Sequence, residues 1–154
     1  MPRLVKGGKY VYGWSKVGKK GRIVIPPEAL EEYNLTGSKS VYLVSGSKRS
    51  GGFGVTTMEL LEDSPLAVMV NKNPPLAEFQ VPEGEVVDIS GRPWCWVQSQ
   101  KGSITIPPET LALYGVSPGD LLLSVRGSRV ALGFLIKGPI IEEAKTHSEI
   151  ELFE

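Results

Sequence analysis

Residues 20–30 read Lys20-Gly21-Arg22-Ile23-Val24-Ile25-Pro26-Pro27-Glu28-Ala29-Leu30, and 81 positions later the chain reads Lys101-Gly102-Ser103-Ile104-Thr105-Ile106-Pro107-Pro108-Glu109-Thr110-Leu111. The correspondence continues without a gap to residues 53 and 134, and 14 of the 34 aligned pairs are identical. Unrelated stretches do not share that many residues, so the chain contains two copies of one unit. A unit of about 45 residues buries too little apolar surface to fold alone. We therefore expect the copies to share one core as a fused pseudo-twofold pair.

The first part of each copy has the alternation that is typical of strands. Residues 10–17 alternate aromatic and polar side chains, the turn Gly18-Lys19-Lys20-Gly21 follows, and residues 22–25 alternate again. This pattern predicts a strand–turn–strand hairpin with lysines at its tip. The second copy begins with Trp94-Cys95-Trp96, which aligns with Tyr12-Gly13-Trp14 after a slip of one residue.

A short helix and a second hairpin are predicted to follow in each copy. Two prolines end the preceding strand, because proline lacks the donor that a ladder needs. Proline and glutamate are also favourable in a first helical turn, which predicts helices over residues 27–33 and 108–114. The strands predicted for the second hairpins are residues 41–44, 53–57, 121–125 and 130–136.

The copies divide the chain into three predicted segments. Residues 1–61 are a first repeat with a basic N-terminal arm, residues 62–92 are an insertion rich in Pro and Gly, and residues 93–154 are a second repeat with an acidic C-terminal tail. The tail, residues 142–154, fits a surface helix, a strand or a disordered segment. Two stretches of the insertion are expected as added strands that cover a sheet edge, namely residues 67–70 and 85–89.

The net charge is zero, but the charges are unevenly distributed. Residues 1–49 carry ten Lys or Arg against three Asp or Glu, whereas residues 78–154 carry six against eleven. This polarity indicates an anionic partner for one half, and a dipolar surface without a partner is the alternative. The chain has neither a membrane-length apolar run nor the apolar core of a signal peptide, and its lone Cys95 allows no internal disulfide. We therefore expect no membrane and a cytoplasmic location.

The order of these motifs resembles the AbrB/SpoVT/MraZ group of swapped-hairpin proteins. A Lys-Gly-Arg turn, an apolar strand, a proline, a short helix and a hairpin occupy residues 12–57, and the same order returns in residues 94–136. Ser117-Pro118-Gly119-Asp120 supplies the Gly-Asp turn of the group, which Ser38-Lys39 replaces in the first copy. The resemblance implies a mainly β fold with short helices, a swapped-hairpin AbrB-type β-barrel formed as an intrachain pseudo-dimer. Members are mostly DNA-binding transcriptional regulators, or antitoxins whose tails grip a toxin, and none is expected to be a metabolic enzyme.

The resemblance assigns DNA contacts to the basic turn of the first copy. Arg22 matches the arginine that follows the turn glycine in the group. Lys16, Lys19 and Lys20 match its basic strand and turn in kind, and Lys101 is the one cation that the second copy keeps. Duplex DNA is bound mainly by cations that neutralise phosphates, so these five residues are the predicted DNA-binding site.

Two departures from the group weaken this prediction. In the second copy Val97, Gln100 and Ser103 stand where the first copy has the cations Lys16, Lys19 and Arg22. In the short helix, where DNA-binding members often carry arginines, the first copy has Glu31 and Glu32 nearby, which have the wrong sign for a phosphate backbone. The predicted DNA binding is therefore asymmetric.

Other chemistries lack a matching residue pattern. The Gly-Lys-Lys-Gly turn has neither the spacing nor the Ser/Thr of a phosphate loop. His147 and Cys95 are single residues without partners at ligand spacing, so we expect no metal, no cofactor and no enzymatic activity. Trp14, Trp94 and Trp96 either stack on bases or fill the core of a small barrel.

The sequence therefore predicts a transcriptional regulator that binds duplex DNA through Lys16, Lys19, Lys20, Arg22 and Lys101. The alternative is a degenerate member that does not bind DNA and instead binds a protein, as an antitoxin or scaffold, through residues 62–92 or 142–154. The missing helix arginines and the zero net charge of the chain favour the alternative, whereas the net charge of +7 of residues 1–49 favours DNA binding. Association of the fused pair into a further homodimer stays open.

Overall fold

Residues 9–154, the part of the chain that the computed structural model describes, are mainly β-strands with short helices. The predicted arm lies outside the described residues except for Lys9. The strands are β1 (Val11–Lys16), β2 (Arg22–Val24), β3 (Lys39–Ser45), β4 (Phe53–Thr56), β5 (Val87–Ile89), β6 (Arg92–Ser99), β7 (Ser103–Thr105), β8 (Leu121–Arg126), β9 (Leu132–Leu135) and β10 (Leu152–Phe153). The helices are α1 (Pro27–Glu32), α2 (Met58–Leu61), α3 (Pro65–Asn71), α4 (Pro74–Ala77), α5 (Pro108–Leu113) and α6 (Pro139–Ala144).

Eight strands form one mixed sheet in the order β10-β1-β8-β9-β4-β3-β6-β5, and β2 pairs with β7 in a separate ribbon. The first strand of each copy pairs with the second hairpin of the other copy. Lys16 of β1 lies opposite Leu121 of β8, and Gln98 of β6 lies opposite Ser40 of β3. The order of the six central strands is therefore symmetric about the β9–β4 pair.

Two predictions about strand pairing are wrong. The first hairpins do not form, because β1 pairs with β8 and β10 whereas β2 leaves the sheet and pairs with β7 of the other copy. The closed barrel does not form either, because the described sheet is open, with β10 and β5 at its two edges. The first hairpin is absent because β8 and β7 of the other copy occupy the pairing edges of β1 and β2, whereas the second hairpins, β3–β4 and β8–β9, form within one copy.

The sheet is covered on both faces. Alternate side chains of β3, such as Val41 and Leu43, pack into the main core together with the β2–β7 ribbon, α1 and α5. The side chains between them, Tyr42 and Val44, pack on the other face with Trp94 and helices α2 to α4. Helix α6 covers the same side over β1 and β8. Each central strand is thus buried on two faces, which explains why it reads as a nearly continuous apolar run.

The insertion and the tail differ in part from their predictions. Residues 67–70 are not a strand but part of α3, where Pro65 occupies the first turn and Ala67 and Val70 share the buried face. Their helical spacing against the second core overrides the strand preference of valine. The strand predicted within residues 85–89 is present as β5. The tail forms a short strand, β10, which lies parallel to β1 at the edge of the sheet.

Candidate nucleic-acid interface

The β2–β7 ribbon presents one arginine to solvent. Ile23 of β2 lies opposite Ile104 of β7, and both are buried. Arg22 lies opposite Thr105. Because side chains alternate along a strand, Arg22 and Thr105 lie on the outer face of the ribbon, away from the core. Both residues are exposed.

The turn before Arg22 depends on Gly21. Gly21 has a φ of +86°, in the region where glycine is strongly favoured, and its N–H donates to the Gly18 carbonyl at 3.0 Å. The Ile106 N–H in turn donates to the Gly21 carbonyl at 3.0 Å. A Cβ built on Gly21 would overlap the Ile106 carbonyl oxygen. The turn is therefore seated directly against the end of β7, and Lys19 and Lys20 lie exposed at the end of the ribbon.

Two shallow grooves contain four of the five predicted contact residues, whereas Lys20 lines neither groove. The first groove, about 450 Å³, is lined by Lys16, Lys19 and Arg22 together with Glu154. The second groove, about 360 Å³, contains Arg22, Lys101 and Glu83. Arg22 lines both grooves and so connects the two sides.

All five predicted residues are free of ion pairs in this part of the molecule. Each of them is exposed, and none takes part in the ion pairs found within residues 9–154. A cation without a carboxylate partner keeps its full charge available for an anion. The ribbon end is therefore an exposed cationic surface, formed by Lys16, Lys19, Lys20, Arg22 and Lys101.

The second copy contributes little charge to this surface. Sequence alignment places Val97 at the position of Lys16, but the structure places Gln98 there, since Gln98 faces Ser40 as Lys16 faces the repeat-related Leu121. The one-residue slip between the first strands of the copies causes this correction, and Val97 itself is buried. The second groove thus contains Gln98, Gln100 and Lys101, with a single cation among them.

The carboxylates of α1 are compensated in a way that the sequence reading missed. Arg126 of β8 donates two hydrogen bonds to Glu32, at 2.5 and 2.6 Å, and its guanidinium lies 4.6 Å from the centre of the Tyr10 ring. The hydroxyl of Tyr12 also donates to Glu32. The bonds from Arg126, followed by the one from Tyr12, lower the pKa of Glu32. One of the carboxylates counted against DNA binding is therefore already neutralised.

The repeat itself contains a signal for this ion pair. Glu32 and Arg126 are 94 residues apart, so no local pattern connects them. Their repeat-related positions hold Leu113 and Ser45, which are both uncharged. The pair formed by Glu32 and Arg126 is thus charged at both positions, whereas the repeat-related pair, Leu113 and Ser45, is uncharged at both.

We expect Arg126→Ala to lower the free energy of unfolding slightly, because it removes the two hydrogen bonds that Arg126 donates to the Glu32 carboxylate at a partly exposed site. The double variant Glu32→Leu with Arg126→Ser introduces the repeat-related residues, Leu113 and Ser45, at these positions and removes both charges. We expect it to be less destabilised than the sum of its single variants, because neither charge is left unpaired. Urea unfolding of the wild-type protein, Glu32→Leu, Arg126→Ser and the double variant measures this coupling. Strictly additive changes in the free energy of unfolding would contradict it.

Lys9 and the turn between β8 and β9 lie at the end of the sheet opposite to the ribbon. The pairing of Val11 with Val125 places the β8–β9 turn far from the ribbon, which adjoins the Lys16 end of β1. Lys9 donates to the Gly127 carbonyl at 3.1 Å, at that remote end. Lys9 therefore lies away from the ribbon end.

The tryptophans and the cysteine have structural positions. Trp94 is completely buried, and the indole N–H of Trp96 donates to the Val81 carbonyl at 2.8 Å. Trp14 is half-buried and packs beside α6. Burial raises the pKa of the Cys95 thiol to about 11, so the thiolate is scarce at neutral pH. None of these residues lines the two grooves of the ribbon end.

His147 joins the acidic tail to α6. Its Nε2 lies 3.0 Å from Glu143 and its Nδ1 lies 3.1 Å from Glu149. The hydrogen bond with Glu149, followed by that with Glu143, raises the pKa of His147. The protonated ring therefore bridges two carboxylates.

The contribution of His147 to stability is expected to disappear as the pH rises. A raised pKa in the folded state gives a contribution that is fully present below the unfolded pKa, about 6.5, and is lost through the higher folded value. The Tm difference between the wild-type protein and His147→Gln should thus be largest at about pH 5 and smallest at about pH 9. Thermal unfolding across this range measures it, and a difference that grows with pH would exclude the bridge.

Three further observations bear on the function of the protein. No helix within residues 9–154 has the length and apolar character needed to cross a membrane. The same residues contain no group of three or more side chains placed to hold a metal ion. No protein-family model, curated protein or solved structure matches this chain, so the function is argued from the ribbon end itself.

Proposed function

We propose that this protein is a DNA-binding transcriptional regulator of AbrB type that contacts duplex DNA with the ribbon end. The observation that carries the proposal is the group of five exposed cations without ion-pair partners around a two-stranded ribbon. A two-stranded β-ribbon fits the major groove of B-DNA. Arg22, on the outer face of the ribbon, suits bidentate donation to a guanine edge. Lys16, Lys19, Lys20 and Lys101 suit the flanking phosphates.

We further propose that the two copies form a swapped-hairpin pseudo-dimer within one chain. The symmetric order of the six central strands supports this, as does the pairing of each first strand with the hairpin of the other copy. The paired β2 and β7 lie where the two halves meet, so both copies supply backbone to the same contact surface. A protein of this kind works in the compartment that holds the DNA, which is the cytoplasm in our proposal.

The proposed contact is symmetric in backbone but not in charge. Four cations come from the first copy, whereas the second copy supplies Lys101 and uncharged polar residues such as Gln98 and Thr105. Amides and hydroxyls donate hydrogen bonds to phosphates but release no counterions. The DNA site is therefore expected to have one strongly bound half and one weakly bound half, rather than a palindrome.

Binding to random and genomic duplex fragments at about 50 and 200 mM salt tests the proposal. The four phosphate contacts give a log–log salt slope of about −3.6, which is a loss of about 150-fold in affinity between these concentrations. Tighter binding to a subset of fragments would identify the operator. The absence of binding at 50 mM from a folded sample would exclude the function.

The second candidate is a protein-interaction module that does not bind DNA. Val68 on α3 and Leu152 on β10 are large apolar side chains exposed by 56% and 48%, in the two segments that the sequence suggested for a partner. Single exposed apolar residues are common on soluble proteins, so this candidate ranks second. A folded protein that fails to bind any duplex at 50 mM salt would favour it.

A further inference from the structure

The strand β10 lies along the outer edge of β1, next to the cationic ribbon end. The Trp14 N–H donates to the Glu151 carbonyl at 2.8 Å, and Trp14 and Ser15 have Leu152 and Phe153 as their partners. Only these two residue pairs form the ladder, whereas β1 and β8 share five. Because each backbone hydrogen bond stabilises the pairing of two strands, β10 is bound to β1 more weakly than β8 is.

A side-chain contact fixes the position of β10. The ring of Phe153 lies over Gly13 of β1, where a Cβ would stand only 2.6 Å from the Phe153 Cε2 atom. The absence of a side chain at Gly13 thus creates the space that the ring fills. Phe153 is half-buried there, and the neighbouring Leu152 stays exposed. The segment is therefore seated by one aromatic contact and a short ladder.

The position of β10 brings a carboxylate into the first groove. Glu154 lines this groove with Lys16, Lys19 and Arg22, yet it makes none of the ion pairs found within residues 9–154. A carboxylate at this place occupies the volume, and carries the charge, that a bound phosphate would bring. It opposes an incoming phosphate without being locked in place.

The second groove also contains a carboxylate, but that one is anchored. Glu83 accepts a hydrogen bond from the Gln98 backbone N–H at 2.7 Å. The adjacent Trp96 carbonyl accepts from the Gly84 N–H at 2.8 Å, so two consecutive residues are tied to β6. The two grooves therefore differ, because one has a fixed acidic residue and the other has an acidic residue on a weakly paired strand.

We propose that Glu151–Glu154 is a displaceable cover of the first groove, which keeps duplex DNA away from Lys16, Lys19 and Arg22 until it detaches. This inference rests on the proposed function. The Glu154 carboxylate and a DNA phosphate compete for the same cations. By linkage, detachment of the cover strengthens DNA binding, and DNA binding promotes detachment to the same degree.

Two kinds of variant of the full-length chain test the cover. Phe153→Ala removes the seated ring, and Gly13→Ala fills its space from the β1 side. Glu154→Gln removes only the charge. Glu62→Gln is the matched control, because Glu62 is an exposed carboxylate that lines neither groove.

Duplex affinity at about 50 mM salt and hydrogen exchange of the Trp14 amide are measured for each protein. Glu154→Gln should bind about two- to fivefold tighter, as the loss of one exposed charge interaction implies. Phe153→Ala and Gly13→Ala should bind tighter and exchange the Trp14 amide faster. The wild-type amide should exchange faster when DNA is added, and Glu62→Gln should match the wild type in both measurements.

The outcomes separate this inference from the proposed function. Faster exchange at Trp14 with unchanged or weaker DNA binding would overturn the cover and leave the proposed function intact. If Phe153→Ala or Gly13→Ala does not fold, Glu154→Gln decides, and unchanged affinity in that variant overturns the proposal. If neither the wild-type protein nor any of the three cover variants binds duplex DNA, the proposed function is wrong. The proposed competition between Glu154 and a DNA phosphate is then wrong as well.

Discussion

Replacement of Lys19, Lys20 and Arg22 by alanine is expected to abolish measurable binding to duplex DNA at physiological salt. All three residues are exposed, none is used in an ion pair within residues 9–154, and Arg22 connects the two grooves of the ribbon end. Each lost phosphate contact lowers the magnitude of the log–log salt slope by about one unit, so the loss of Lys19 and Lys20 should lower it by about two, and the loss of Arg22 also removes the proposed base contact. Titration of a labelled duplex at several salt concentrations gives both the affinity and the slope.

Two controls make this result specific. Lys101→Ala should change the affinity only slightly, because it removes the single cation that the second copy supplies and leaves Arg22 in the second groove. The triple replacement of Lys48, Arg49 and Arg129 by alanine removes the same total charge from the turns at the other end of the sheet, and it should leave binding nearly unchanged. If Lys101→Ala is as damaging as the ribbon-end triple variant, the asymmetric contact is wrong. If the remote triple variant is as damaging, the binding depends on overall charge and not on this surface.

The largest expected effect on stability is that of Gly21→Ala. Alanine at a φ of +86° costs about 1–2 kcal/mol by itself. The added Cβ also overlaps the Ile106 carbonyl oxygen, which belongs to the backbone and has no flexible end that can move aside. Relief requires the turn to move away from the end of β7, which breaks the hydrogen bond from Ile106 to Gly21. We expect a loss of about 4 kcal/mol or more, measured by urea unfolding.

Two other glycines separate the strain of φ from the clash. Gly91 has a φ of +82° and open space around its Cβ position, so Gly91→Ala should cost only about 1–2 kcal/mol. Gly102 is the repeat-related partner of Gly21, with a φ of +77°, and its Cβ would meet only Leu30 Cδ1 at 3.3 Å. Gly102→Ala should therefore lie between the other two. An equal loss of unfolding free energy in all three variants would mean that the overlap with the Ile106 carbonyl oxygen does not add to the cost of the positive φ.

Local features of the fold were predictable because they depend on short-range chemistry. Both repeat helices lie within one residue of their predicted bounds, since two prolines and a glutamate specify a helix start independently of the rest of the chain. The pairing of the strands was not predictable in the same way. An alternating pattern indicates that residues 22–25 are extended, but it contains nothing that distinguishes a partner strand in the same copy from one in the other copy.

The candidate site shows the same difference between features that the sequence predicted and contacts that it did not. The five cations were named from the sequence, because a motif repeated twice allows each position to be compared with its counterpart. The contacts that modify their surroundings were missed, since Arg126 reaches Glu32 across 94 residues and Glu154 reaches the Lys16 end of β1 from the far end of the described chain. The sequence shows a slip of one residue between the first strands, and the hydrogen-bonded register extends it to Gln98, which lies opposite Ser40 in place of Val97.

The fusion of two copies in one chain has a consequence for how the molecule can be oriented. In a dimer of identical chains every substitution occurs twice, so the bound protein looks the same from upstream and from downstream. Here Arg22 faces Thr105 across the ribbon while its repeat-related residue is Ser103, so the two ends of the ribbon are chemically distinct. If the ribbon end binds duplex DNA as proposed, the molecule has a front and a back along the duplex, and it is oriented toward one neighbouring gene rather than the other.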